Sequence, residues 1–106
     1  SIRGFQVIRH KLADMATQVA SAQALTYQVA AQKKAGTPMM VEAAMAKNHA
    51  AMVARGVCWE AVQIFGGMGF MRETVVERFS RDARLLPIGG GTQEIMKEII
   101  SRGYGY

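Results

Sequence analysis

Hydrophobic positions recur along this chain with a helical period from one end to the other. Ile8, Leu12, Met15, Val19, Ala22 and Val29 fall at steps of three, four or seven, predicting a helix from about Phe5 to about Lys34 with one apolar stripe. Gly36 then supplies a left-handed stop, with Lys33 and Lys34 suiting the last turn, and Thr37-Pro38 reads as N-cap and first residue of the next helix. That second helix is expected from about Pro38 to Phe65. It carries one line of Val41, Met45, Asn48 and Met52 and another of Ala46, Ala50, Val53, Val57 and Ile64. Two alanine-rich apolar faces imply packing on more than one neighbour. Gly66-Gly67 ends the helix.

A shorter helix is expected from about Glu73 to Leu85, burying Val76, Phe79 and Ala83. Pro87 and Gly89-Gly90-Gly91 interrupt the chain, and Thr92 caps a final helix carrying Ile95, Ile99 and Ile100. No segment alternates with period two. The prediction is therefore an all-α, antiparallel helical bundle in a single domain over residues 1–106. Two long helices joined by a short turn are followed by two short ones. Long helices with two apolar faces call for a third long partner. The tail Gly103-Tyr104-Gly105-Tyr106 reads as a poorly ordered end or as a contact with another subunit.

Composition trims the functional classes. One hundred and six residues, 50% hydrophobic, build a packed domain but make a small vehicle for an enzyme with a large cofactor. No apolar run approaches the roughly 20 residues of a membrane span, so no membrane insertion is expected, and no signal-peptide pattern opens the chain. The single Cys58 excludes an internal disulfide and reads as a small buried hydrophobe in a reducing compartment. The net charge of +5 comes from basic residues scattered among carboxylates rather than gathered in a run, so no nucleic-acid partner is expected.

The remaining polar candidates carry little chemistry by themselves. His10 and His49 have no cysteine or carboxylate at ligand spacing, so no metal site is expected. Glu77, Arg78, Arg81 and Asp82 read as a surface ion-pair network, and Glu94 and Glu98 as surface carboxylates near a helix start. Trp59 reads as a core or interface anchor, and Met15, Met45 and Met52 as packing. Gly89-Gly90-Gly91-Thr92-Gln93-Glu94 is the exception. It sets a glycine run at a helix N-terminus, where free N–H groups favour anions or carbonyl oxygens and a large planar ligand can approach closely.

From Gln63 to Ile100 the chain reads QIFGGMGFMRETVVERFSRDARLLPIGGGTQEIMKEII. This stretch closely resembles the C-terminal end of the flavin-dependent acyl-CoA dehydrogenases, and GFQVIRHKLADMA near the start extends the likeness over essentially the whole chain. The resemblance implies part of a four-helix C-terminal domain, lacking the long helix that precedes this segment in the family. It further implies an exposed groove and self-association. FAD is the implied cofactor. Gln63, Ile64, Phe65, Gly66 and Gly67 fall on the segment that reaches the adenine-nucleotide half of a neighbouring subunit's FAD. Thr92, Gln93 and Glu94 fall on FAD contacts, Gly91 on a substrate contact, and Gln6 on a further cofactor contact.

The family's chemistry removes hydrogen from the α and β carbons of an acyl-CoA thioester. The implied setting is a homo-oligomer, dimer or tetramer, that passes electrons to an electron-transfer flavoprotein, in bacterial cytoplasm or the mitochondrial matrix. One position departs from the common pattern. Many members place the glutamate that takes the α-proton two residues before the capping threonine, and here that residue is Gly90. Some long-chain and branched-chain members have a small residue there and carry the base on the preceding helix. No catalytic residue is therefore expected within this chain, which alone should be inactive. A relative without the base, or a non-catalytic helical oligomerisation module, remains the alternative.

Overall fold

The computed structural model describes residues 1–106 as helices and turns, with no strand. A 3-10 turn, Ile2–Gly4, leads into α1 (Gln6–Lys34). Then come α2 (Met40–Phe65), a single turn α3 (Gly67–Phe70), α4 (Val75–Ala83) and α5 (Gln93–Tyr104). The fold is all-α, and no helix is long and apolar enough to cross a membrane.

α2 is the axis of the molecule. α1 runs antiparallel to it, in a register fixed by Lys11 to Glu60 at 2.9 Å and Ser21 to His49 at 3.0 Å. α5 is also antiparallel to α2: its start lies by Lys47 and Asn48, and its end packs Gly103 on Val41. α4 covers the remaining flank near the C-terminal half of α2. The two apolar faces of α2 thus serve different neighbours, as the alanine-rich lines predict. Ala44, Ala46, Ala51 and Val53 are its buried residues.

The hairpin between α1 and α2 shows why one boundary moves. α1 ends in a full Schellman motif, with Gly36 at φ +92°, Gly36 N–H donating to the Lys33 carbonyl and Thr37 N–H to the Gln32 carbonyl. α2 begins at Met40, not at Pro38, and its N-cap is Met39 without a side-chain hydrogen bond. Met39 is buried with Val29 and Ala46, against Leu25. Burying that side chain keeps residues 37–39 out of the helix and overrides the capping preference of Thr37.

Other departures have equally local causes. Gly66 ends α2 at φ +63°, and the chain folds back at once into α3, because Gly69 has no Cβ and can lie against the last turns of α2. α4 is shorter than predicted. It faces α2 with Val76, Ser80 and Ala83, while Phe79 lies half exposed on the flank, its ring under the Arg78 guanidinium at 5.4 Å. The predicted four-residue ion network reduces to one pair, Glu77 to Arg81 at 2.6 Å. Trp59 is 71% exposed and is no core residue. The tail is not frayed. α5 continues through Tyr104, Gly105 is left-handed, a second Schellman motif closes the end, and Tyr104 stacks on Tyr106.

The surface is large for the size of the chain. The accessible area is 7627 Å², against about 5,800 Å² for a compact monomer of this mass. The radius of gyration is 16.3 Å, where about 13 Å is usual for this length. Val7, Trp59, Phe65, Phe70 and Ile88 are among the large apolar side chains at least half exposed.

Candidate functional site

The loop before α5 is built from two elements. Leu86 to Gly89 turn through hydrogen bonds from Ile88 N–H and Gly89 N–H to the Leu85 carbonyl at 2.9 and 2.8 Å, and Pro87 is buried beneath them. Gly90 and Gly91 then follow at φ +69° and +104°, values that side-chain-bearing residues rarely adopt. Gln93 N–H donates back to the Pro87 carbonyl at 2.9 Å, closing the loop. Thr92 is the N-cap predicted for it: its Oγ1 accepts from Ile95 N–H at 3.1 Å and its carbonyl from Met96 N–H at 3.0 Å.

Those bonds leave the N–H groups of Gly90, Gly91, Thr92 and Glu94 without acceptors in the chain. Four free donors at the positive end of a twelve-residue helix suit an anionic or carbonyl oxygen. No Cβ stands over Gly90, where even an added methyl would meet nothing within 4 Å, so a planar group can approach the backbone. These features fit the phosphate and polar ring edge of a flavin nucleotide.

Two residues of α2 hold this loop, and neither belongs to a site motif in the sequence. Lys47 Nζ donates to the Gly91 carbonyl at 2.6 Å, and Asn48 Nδ2 to the Gln93 carbonyl at 3.0 Å. Asn48 Oδ1 is buried with no donor facing it. One signal was available: Asn48 is the lone polar residue on the line Val41, Met45, Asn48, Met52. A polar side chain on a packed stripe needs a partner, which asks what that partner is.

The other predicted contacts lie at the far end of α2. Gln63 and Phe65 are exposed, Ile64 is half buried, and Gly66 and Gly67 form the corner into α3. The register of the Lys11–Glu60 pair brings Gln6 level with Phe65, so Gln6 joins this cluster, where its Nε2 lies 3.5 Å from His10 Nε2. Lys47 and Gly66 are separated by about 28 Å along the helix. The predicted site residues therefore form two groups. Gly91, Thr92, Gln93 and Glu94 stand against the N-terminal half of α2, and Gln6 and Gln63 to Gly67 at its C-terminal end.

Nothing else offers reaction chemistry. Gly90 supplies no side chain, and no group of three or more His, Cys, Asp or Glu is placed to hold a metal ion. Burial pushes the Cys58 thiol above its ordinary value, so it stays protonated at neutral pH and is no activated nucleophile. A hollow of about 930 Å³ is an open groove between α1, α2 and α4 with Lys11, Arg55, Trp59, Glu60 and Arg84 on its walls. It lies away from the glycine loop.

This is an all-α domain of antiparallel helices around a central one, with a donor-rich glycine loop against the N-terminal half of that helix and a glycine corner at its C-terminal end. The chain belongs to the family described as acyl-CoA dehydrogenase, C-terminal domain, whose pattern matches residues 1–105. It is 46% identical over 101 residues to the short-chain specific acyl-CoA dehydrogenase of Clostridium acetobutylicum, covering 95% of this chain and 27% of that protein. The butyryl-CoA dehydrogenase structure from Megasphaera elsdenii superposes with a TM-score of 0.96 at 42% identity, covering 99% of this chain and 27% of that one. A solved FAD complex of PigA is similar at 27% identity and a TM-score of 0.92, over 98% of this chain and 27% of that one. The chain thus spans about a quarter of the length of the relatives it matches.

Proposed function

We propose that this chain is the cofactor- and subunit-facing C-terminal domain of an FAD-dependent enzyme that introduces a double bond between the α and β carbons of an acyl-CoA thioester. The observation that carries the reading is the set of unpartnered N–H groups at Gly90, Gly91, Thr92 and Glu94 on a loop whose two positive-φ positions are both glycine. Family membership and the named activities of the relatives support it.

When bound, FAD supplies the hydride acceptor. The residues of this chain bind and orient. Thr92, Gln93 and Glu94 hold the cofactor through the helix start, and Gly91 lets the thioester lie against the backbone. A carbonyl oxygen receiving these N–H groups is polarised, which acidifies the α-proton. Gly90 cannot accept that proton, so the base comes from a carboxylate elsewhere in the full-length protein. Gln6 and Gln63 to Gly67, about 28 Å along α2 from the loop, serve the FAD of a neighbouring subunit. The working protein is then a homo-oligomer, and its exposed apolar side chains fit that assembly. Reduced flavin hands its electrons to an electron-transfer flavoprotein.

A second reading, a relative that binds FAD but has lost its base, is favoured by Gly90 alone. The visible spectrum of the full-length protein, recorded anaerobically before and after adding acyl-CoA thioesters, separates the two. Flavin absorbance bleached by one chain class is the expected result. Flavin that no thioester bleaches supports the relative without a base, and absence of flavin overturns both.

A further inference from the structure

We infer that Lys47 and Asn48 are positioning residues: from α2 they clamp the carbonyls of Gly91 and Gln93 and so turn the Thr92 and Glu94 N–H groups toward the ligand. The inference rests on the reading above and adds residues it does not name. In a trans peptide the C=O of one residue and the N–H of the next point in opposite directions. The Gly91 carbonyl is drawn to Lys47 Nζ at 2.6 Å, so the Thr92 N–H faces away from α2. The Gln93 carbonyl lies in the first turn of α5 and accepts from Asn48 Nδ2 at 3.0 Å, which pins to α2 the helix start from which the Glu94 N–H points. These two N–H groups are among those with no acceptor in the chain.

The clamp matters because the loop is otherwise free to choose. Gly90 and Gly91 each have several accessible backbone states, and rotation about Gly91 would turn the next peptide over. Lys47 carries a full charge onto a carbonyl in a part-buried setting, the stronger kind of hydrogen bond. Both clamp residues stand on consecutive positions of a 26-residue helix, so the pair is as rigid as α2.

Lys47→Met and Asn48→Leu, made in the full-length protein, keep the shape of each side chain while removing the donor. Two readouts are taken: FAD affinity by flavin fluorescence, and amide hydrogen exchange at Gln93, Ile95 and Met96, whose N–H bonds close the loop. Each variant is expected to bind FAD about tenfold more weakly, with faster exchange at those amides and unchanged helical content. Lys47→Arg, which restores a charged donor, is expected to recover most of both. Unchanged affinity in both variants overturns the proposal. Weaker FAD binding with unchanged exchange also overturns it, because Lys47 or Asn48 would then touch the ligand directly. If the wild-type protein binds no flavin, the functional reading has failed. The exchange measurement then decides whether the clamp holds the loop: unchanged rates overturn it.

Discussion

Replacing Gly91 by valine in the full-length protein is expected to weaken FAD binding at least tenfold while leaving the α-helical circular dichroism intact. Gly91 sits at φ +104°, where a β-branched residue is an outlier, and the strain amounts to about 1–3 kcal/mol. A Cβ there would lie 2.5 Å from Met96 Cε, but that methyl ends a flexible side chain and can swing aside. Relief therefore comes from rotating the backbone. Rotation takes the Gly91 carbonyl off Lys47 and the Thr92 N–H off the ligand. A lost hydrogen bond to a charged group corresponds to about 1.5–3 kcal/mol, or roughly 10- to 150-fold in affinity. Titration of the apoprotein with FAD, followed by flavin fluorescence, reads the change directly. A wild-type dissociation constant in the valine variant would remove the glycine loop from the cofactor site.

The largest loss of stability is expected from Gly69→Ala, at about 3 kcal/mol. A methyl built on Gly69 would stand 2.6 Å from the Val62 carbonyl oxygen and 3.0 Å from Val62 Cα and Phe65 Cβ. Two of those atoms are helix backbone, which cannot swing away as Met96 can. α3 would have to lift off the end of α2. Gly67→Ala is the matched control, since its added methyl meets nothing within 4 Å. Thermal unfolding of the full-length protein should show a lower midpoint for Gly69→Ala and little change for Gly67→Ala. Equal midpoints would mean that α3 does not pack on α2 in the assembled protein.

What the sequence disclosed and what it concealed divide along a physical line. Glycine stops and the threonine cap are local devices, so the ends of α1 and α2 and the start of α5 fell where Gly36, Gly66 and Thr92 put them. Met39 moved the start of α2 because its burial depends on Val29 and Ala46, from two different helices. Phe79 lies half exposed because the contact surface of α4 is set by the helix it meets, which the spacing of one short helix does not specify. α3 escaped notice since a single turn among glycines carries no periodicity. The site was legible in part: the loop announced itself by composition, whereas its clamp reaches across more than forty positions, from Lys47 to Gly91 and from Asn48 to Gln93. Only Asn48, polar on an apolar line, hinted at it.

The two glycine groups stand about 28 Å apart along one stiff helix. Under the proposed function each subunit then holds its own FAD at one group and a neighbour's at the other. Cofactor retention and assembly become linked equilibria. Diluting the protein should release flavin, excess FAD should drive subunits together, and the apparent FAD affinity should rise with protein concentration. A subunit that lost only its Gly66-Gly67 corner would leave its own loop untouched and empty its neighbour's site.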